Sequence, residues 1–297
     1  MGIKMKHQGL NINQGRNFYF LSSGISALLI VSGGMILLSA DVNANQQRTN
    51  ESLIAQNQNS KNVIYVNPEI GSDTYRDVAT EQVPYKTISF ALSIAKPGAT
   101  IQLSPGNYSE NTGEYFPLNI KSGITLLGDE STKGETILII GSGNYISRTF
   151  ARQNVTIVAE NNSTINGVTV TNPGSRGTGV WIESTNPTIE NSTFINSVRE
   201  GVFVTGAGNP IIENNIFSGN KGNGVSITKD AKGLVRNNLF QNTGFGLAIG
   251  NNSKPRLEKN QIVKNTDGVF ISDSAKPILR GNLIQNNNRD GIIIVSQ

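Results

Sequence analysis

NPTIENSTFINSVREGVFVTGAG (residues 186–208), NPIIENNIFSGNKGNGVSITKDA (209–231), KGLVRNNLFQNTGFGLAIGNNS (232–253), KPRLEKNQIVKNTDGVFISDSA (254–275) and KPILRGNLIQNNNRDGIIIVSQ (276–297) align on one another almost without gaps. The stretch Ser163–Thr185 fits the same frame, so each unit is 22 to 24 residues long. A fixed period in this range marks a solenoid, whose repeats bury their apolar faces only by stacking.

Within each unit the pattern is that of strands. After the glycine, apolar residues alternate: Val180/Ile182, Val202/Val204, Val225/Ile227, Leu247/Ile249, Val269/Ile271 and Ile292/Ile294. Period two sends one set inward and the other outward. An earlier short strand places Phe194, Phe217, Phe240, Ile262 and Ile284 in one column. Strands this short, joined by a few turn residues, keep a constant frame only by coiling parallel to the previous turn. Parallel connections of this kind run right-handed, and each coil rises about 4.8 Å on the last. The predicted fold is therefore all-β, a single-stranded right-handed parallel β-helix. Asn215, Asn238, Asn260 and Asn282 hold one position in four consecutive coils. Their amides are placed to hydrogen-bond up and down the stack as a ladder.

The chain resembles the pectate-lyase-like superfamily of right-handed parallel β-helix proteins. The repeats carry the resemblance over about the last 135 residues. Upstream, Ile64–Asn67, Gly71–Asp73, Pro84–Ile88, Ala91-Leu92, Lys96–Gly98, Thr100–Leu103 and Pro105–Tyr108 resemble the entry segment of many exported β-helix proteins. Among these is a family known only as a domain of unknown function. Binding proteins, lyases and hydrolases share this opening, so the resemblance implies the fold and leaves the activity open. In the entry segment Ile88, Leu92 and Ala95 share a helical face, which predicts a helix over Thr87–Lys96 that caps the solenoid. The predicted organisation is a leader over 1–44, a polar linker over 45–62, an N-terminal strand and capping helix over 63–99, and the β-helix over 100–297. Loops are expected at 104–117 and 141–154.

Composition narrows the chemistry. There is no cysteine, and the single histidine, His7, lies in the leader. Ser-His and Cys-His nucleophilic catalysis are thereby excluded, and no zinc site is expected. Residues 1–17 are polar and basic, 18–40 are apolar, and Val42-Asn43-Ala44 supplies small residues at cleavage spacing. That is a signal-peptide pattern; an uncleaved anchor, the one expected membrane contact, is the alternative. Either reading exports the chain, to the periplasm, the cell surface or the medium. Of the net charge of +4, Lys4, Lys6, Arg16 and Asp41 carry +2 in the leader, leaving about +2. So small and evenly spread a charge gives no reason to expect nucleic acid.

Three surface constellations bear on function. Asn265-Thr266-Asp267-Gly268 resembles the Asn-Thr-Asp-Gly motif of polygalacturonases, whose Asp belongs to a catalytic carboxylate cluster. The next coil offers Arg289-Asp290 where that family has two aspartates, and the family's later histidine and Arg-Ile-Lys motif are absent. Asp267 and Asp290 are thus the catalytic candidates, one coil apart, although a polar residue before Gly (Glu200, Asn223, Asp267, Asp290) is also an ordinary turn feature here. The column Glu190, Glu213, Arg236, Glu258, Arg280 alternates in sign from Glu213 onward and reads as a solvated charge ladder. Trp181 and Phe203 lie on adjacent coils and point outward, with Phe270 and Ile293 further along the column. They are the candidate platform for a sugar face, unless a loop, the linker or a partner covers them. Asp73 and Asp77 are the acidic residues nearest a lyase-type Ca²⁺ cluster, and Gly-Ser-Asp reads as a turn cap. No metal or cofactor is expected, save Ca²⁺ if the chain is a lyase. The sequence thus predicts a protein that binds extracellular or cell-surface polysaccharide without catalysis. A divergent polysaccharide lyase or glycoside hydrolase, and a structural or adhesion protein, are the alternatives. The apolar last coil is expected to self-associate.

Overall fold

A computed structural model describes residues 62–74 and 79–295. The leader and most of the linker lie outside the described residues, and with them the expected signal peptide or anchor; so does Asp77. No helix of the described residues is long and apolar enough to cross a membrane.

The described chain winds into a parallel β-helix with three strands per coil, each coil adding one strand to each of three sheets. Among the described residues the first sheet has nine strands, from Val63–Val66 through Thr188–Glu190 to Ile278–Arg280. The second has eight, from Gly106–Ser109 through Thr193–Ile195 to Leu283–Gln285. The third runs from Leu118–Ile120 through Val202–Thr205 to Ile292–Val295. Every pairing along these stacks is parallel and falls in the register that the sequence columns predict. Phe194 faces Phe217, which faces Phe240 and then Ile262 and Ile284. The phenyl rings stack at centroid distances of 5.0 and 4.7 Å. Ile189, Ile212, Val235 and Leu257 fill the first-sheet side of the same interior, all fully buried.

The turn between the first and second sheets is only two residues long, and its chemistry repeats. Its first residue takes a left-handed conformation (Asn191, Asn214, Asn237, Lys259, Gly281), which Asn tolerates better than most and Gly adopts freely. Its second is Ser192 after Asn191, and the ladder asparagine after Asn214, Asn237, Lys259 and Gly281. Asn215 N–H donates to Asn238 Oδ1 at 2.9 Å, and Asn238 N–H donates to Asn260 Oδ1 at 3.1 Å. Asn260 N–H donates to Asn282 Oδ1 at 3.0 Å. A second ladder, which the repeat pattern alone does not single out, runs between the second and third sheets. There Ser197 N–H donates to Asn220 Oδ1, Thr243 N–H to Asn265 Oδ1 and Asn265 N–H to Asn287 Oδ1, each at 3.0 Å.

Upstream of the regular coils the helix is Ile88–Ile94, shorter than predicted, with Thr87 as its N-cap. Ile88, Ala91 and Leu92 are buried, and the helix packs on Val63–Val66, Thr100–Leu103 and Leu118–Ile120. Asp73 is a cap, as its turn context suggests: its carboxylate accepts from Lys86 N–H at 2.8 Å and Thr87 N–H at 3.0 Å. Buried Glu114 accepts from Ile88 N–H at 2.6 Å and from Ser89 N–H at 2.9 Å. Burial lifts the Glu114 carboxyl above the ordinary glutamate value, although hydrogen bonds from Ser89 and Ile88 pull it down. The folded chain therefore holds that proton more tightly than the unfolded chain. This contribution is complete at low pH and is lost as pH rises from the ordinary value of 4.5 through the raised folded one. Glu114→Gln should flatten that part of the pH–stability curve, which denaturant titrations from about pH 4, the ordinary carboxylate value, upward to about pH 7 would measure.

Two predicted loops are structured. Residues 104–117 contain the strand Gly106–Ser109 and a short 3₁₀ turn, Glu110–Thr112. Residues 141–154 form an antiparallel hairpin, Gly143–Ser147 against Ala151–Val155. Its return strand continues to Ala159 as a strand of the third sheet.

Candidate functional site

The outer column of the third sheet runs Val158, Trp181, Phe203, Ser226, Ala248, Phe270, Ile293, each paired with the next by register. Trp181 and Phe203 stack at 4.5 Å with their planes 5° apart, in the arrangement of a sugar platform. They are not, however, an exposed one. Trp181 is fully buried and Phe203 is 7% exposed, because the 143–155 hairpin folds over both. Phe150 meets them edge-on at 6.2 and 5.3 Å, and Tyr145 lies 6.3 Å from the indole. The hairpin is latched by Glu183, which accepts from Thr149 N–H at 2.7 Å, Ser147 Oγ at 3.0 Å and Tyr145 Oη at 3.2 Å. Burial opposes the charge on Glu183, but the hydrogen bonds from Thr149 and Ser147 outweigh it and hold the carboxyl below its usual value. Among the described residues the indole N–H finds no acceptor.

A second aromatic pair, with no hairpin of the described residues over it, lies further down the same face. Phe245 and Phe270 stack at 4.9 Å with planes 15° apart, and both are half-buried. Phe245 escapes a reading by strand alternation because it sits in the turn column before glycine, beside Glu200, Asn223 and Asp267. Its aromaticity in an otherwise polar column is the signal that could have found it.

Phe245 pairs by register with Asp267. Asp267 is buried: it bonds Arg289 through one carboxylate oxygen and accepts from Asp290 N–H at 3.0 Å through the other. Burial alone would raise its pKa, but the Arg289 hydrogen bond, the Asp290 amide and the guanidinium charge together hold it below the ordinary value. Asp290 is exposed and contributes its backbone to Asp267. The two catalytic candidates are thus neighbours, but Asp267 is committed to an ion pair.

The charge column of the first sheet stacks as read, Glu190, Glu213, Arg236, Glu258, Arg280 in register, with Arg236 ion-paired to Glu213. Glu190 sits above its usual pKa, chiefly through burial and then through the charges of Glu213 and Glu130. Among the described residues no group of three or more Asp, Glu, His or Cys side chains is placed to hold a metal ion.

Beside the start of the first sheet, where chain from the third sheet enters it, lies a groove of about 710 Å³. Asn186, Asn209, Lys232 and Lys254 lie along one side, and Thr188, Ile211, Leu234 and Arg256 form the adjacent column. In the sequence these positions read only as unit boundaries, so nothing there singles them out.

The fold and these faces define the chain as a parallel β-helix protein with long outer grooves. It belongs to the family described as Protein of unknown function (DUF1565), whose match covers residues 69–296. No curated protein sequence matches it. Among solved structures it is similar to XylC in complex with xylose, at 12% identity and a TM-score of 0.52. That alignment takes in 78% of this chain and 63% of XylC, so the chain spans less than two thirds of that protein's length. It also aligns with pectate lyase Pel9A (16% identity, TM-score 0.44, 72% of this chain and 69% of that one). A third is the A-module of the Azotobacter vinelandii mannuronan C-5 epimerase AlgE6 (16% identity, TM-score 0.41, 69% and 73%).

Proposed function

We propose that this is an exported protein that binds extracellular or cell-surface polysaccharide without cleaving it, on the outer face of the third sheet. The observation that carries the reading is the half-buried, stacked Phe245–Phe270 pair, beside the short side chains of Ser226 and Ala248 in the same outer column. Aromatic faces of this kind pack against the C–H face of a pyranose. A β-helix of this kind can be complexed with a pyranose, as XylC is with xylose. Export rests on the basic, apolar and small-residue succession of residues 1–44.

Binding without cleavage rests on Asp267. Glycoside hydrolysis needs one carboxyl that keeps a proton and a second that attacks or activates water. Asp267 is held ionised by Arg289 and has both oxygens engaged, so it has no proton to give and little freedom to attack.

The test uses the purified chain with neutral and acidic polysaccharides, with and without Ca²⁺. Reducing ends, unsaturated-product absorbance and co-sedimentation are followed together. Co-sedimentation without new ends is expected, and Phe270→Ala should weaken it roughly tenfold for the neutral polysaccharides, the loss of one stacking contact of about 1.5 kcal/mol. New reducing ends or absorbance would instead make the protein an enzyme. Undiminished binding by Phe270→Ala would remove the aromatic pair from the site.

A further inference from the structure

The groove beside the first sheet has a chemistry unlike that of the aromatic face. Its long axis follows the stack across five coils, from Asn162 to Arg256, or roughly 19 Å at about 4.8 Å per coil. One end is lined by neutral hydrogen-bonding groups, Asn162, Asn186, Thr188 and Asn209. The other carries Lys232, Lys254 and Arg256, and no carboxylate lines it anywhere. Between them Ile211, 40% exposed, and Leu234 make an aliphatic floor.

The cations are in strict phase. Lys232 N–H donates to Gly208 O at 2.8 Å, and Lys254 N–H donates to Ala231 O at 2.9 Å. Lys276 N–H repeats the pattern with Ser253 O at 2.9 Å. Equivalent amides thus place three exposed lysines on successive coils. Like charges directly opposite one another on neighbouring strands repel. Elsewhere on the first sheet Arg236 pairs with Glu213; of the groove's own cations Arg256 is paired with Glu258 at 3.3 Å, which leaves Lys232 and Lys254 as its charge. The described ion pairs include none to the lysine column.

We propose that this groove is a second binding site and takes a linear polysaccharide bearing regularly spaced anionic groups, carboxylate or sulfate, running parallel to the solenoid axis. The coil rise is close to the length of one pyranose unit, so each lysine can meet a successive anionic group. The amide and hydroxyl end suits sugar hydroxyls, and the aliphatic floor suits ring C–H. Single-stranded nucleic acid is the poorer match, because no aromatic side chain lines the groove to stack on a base. The site is separate from the Phe245–Phe270 pair, and the two stand or fall independently.

The experiment measures binding of the full chain to four probes in low salt: oligogalacturonate, heparin-derived oligosaccharide, xylo-oligosaccharide and single-stranded DNA. Lys232→Glu with Lys254→Glu should weaken the anionic glycans by at least about tenfold, as expected when two favourable charge contacts become repulsive. Xylo-oligosaccharide binding should be unchanged, and Phe270→Ala should leave the anionic glycans unaffected. The two anionic arms decide whether carboxylate or sulfate is preferred. Lys232→Gln with Lys254→Gln serves as the milder variant and should give an intermediate loss. Unchanged affinity for both anionic glycans in the charge-reversed protein would overturn the proposal, and so would tighter binding of DNA than of either glycan.

Discussion

Trp181→Ala should unfold more readily than the unaltered protein by about 3–5 kcal/mol, the usual cost of removing a fully buried large aromatic. Its melting temperature should fall by roughly 10 °C. The indole stacks on Phe203 and is closed in by Phe150 and Tyr145, so its loss leaves a cavity beneath the hairpin. Trp181→Phe should cost much less, under about 1.5 kcal/mol. It gives up volume but also removes a buried N–H that has no acceptor among the described residues, itself a destabilising feature. Thermal denaturation of the two variants separates a packing role from a binding role. Trp181 is the only tryptophan, so its emission reports on this site alone. Saturating glycan should leave the emission unchanged if sugar lies on Phe270. A change on adding glycan would mean that the hairpin opens and that the Trp181–Phe203 platform is used after all.

That contrast marks the boundary of what the repeat pattern can reveal. Phase along the chain assigns a residue to a column and a face, and it does so correctly for Trp181, Phe203 and Phe270. It cannot report what lies over a face, because the covering hairpin comes from residues 143–155, outside the regular coils and without periodicity. The same limit applies to Asp267. Its motif places it one coil from Asp290, yet its chemistry is set by Arg289, a side chain whose reach back across a coil no spacing rule predicts.

The two asparagine ladders show the limit from another side. Asn215, Asn238, Asn260 and Asn282 form an uninterrupted column and are legible in the sequence. The column Ser197, Asn220, Thr243, Asn265, Asn287 makes the same kind of bond from 197 to 220, 243 to 265 and 265 to 287, but mixes residue types. In it the Ser197 hydroxyl accepts from Asn172 N–H at 3.2 Å, while the Thr243 hydroxyl donates to Asn265 Oδ1 at 2.8 Å. Physical equivalence survives where residue identity does not. The groove is hidden for a related reason: Asn186, Asn209, Lys232 and Lys254 begin successive units, and their value lies in their sum along the stack.

Asn238→Ala tests the ladder where it is most enclosed. The Asn238 amide accepts from Asn215 N–H at 2.9 Å and from Asn215 Nδ2 at 3.1 Å. It donates to Ile212 O at 2.9 Å and to Asn260 Oδ1 at 3.0 Å. Asn215, Asn238 and Asn260 are each 1% exposed or less, so water cannot readily replace those partners. Truncation orphans a backbone donor and a backbone acceptor at about 1–3 kcal/mol each, a total near 3–5 kcal/mol. Coils in a solenoid are coupled mainly to their neighbours, so a break between the 215 and 260 coils should loosen the downstream coils from the upstream ones. Hydrogen exchange should then show amides after about residue 238 losing protection before those upstream. Two controls fix the interpretation. Asn282→Ala, on a half-exposed turn where water can substitute, should cost only about 1 kcal/mol. Asn237→Gly, at the exposed left-handed position (φ 55°) beside the ladder, should be close to neutral, because glycine adopts that backbone freely. Equal losses at 237, 238 and 282 would mean that turn conformation, and not the buried amide stack, holds the coils in register.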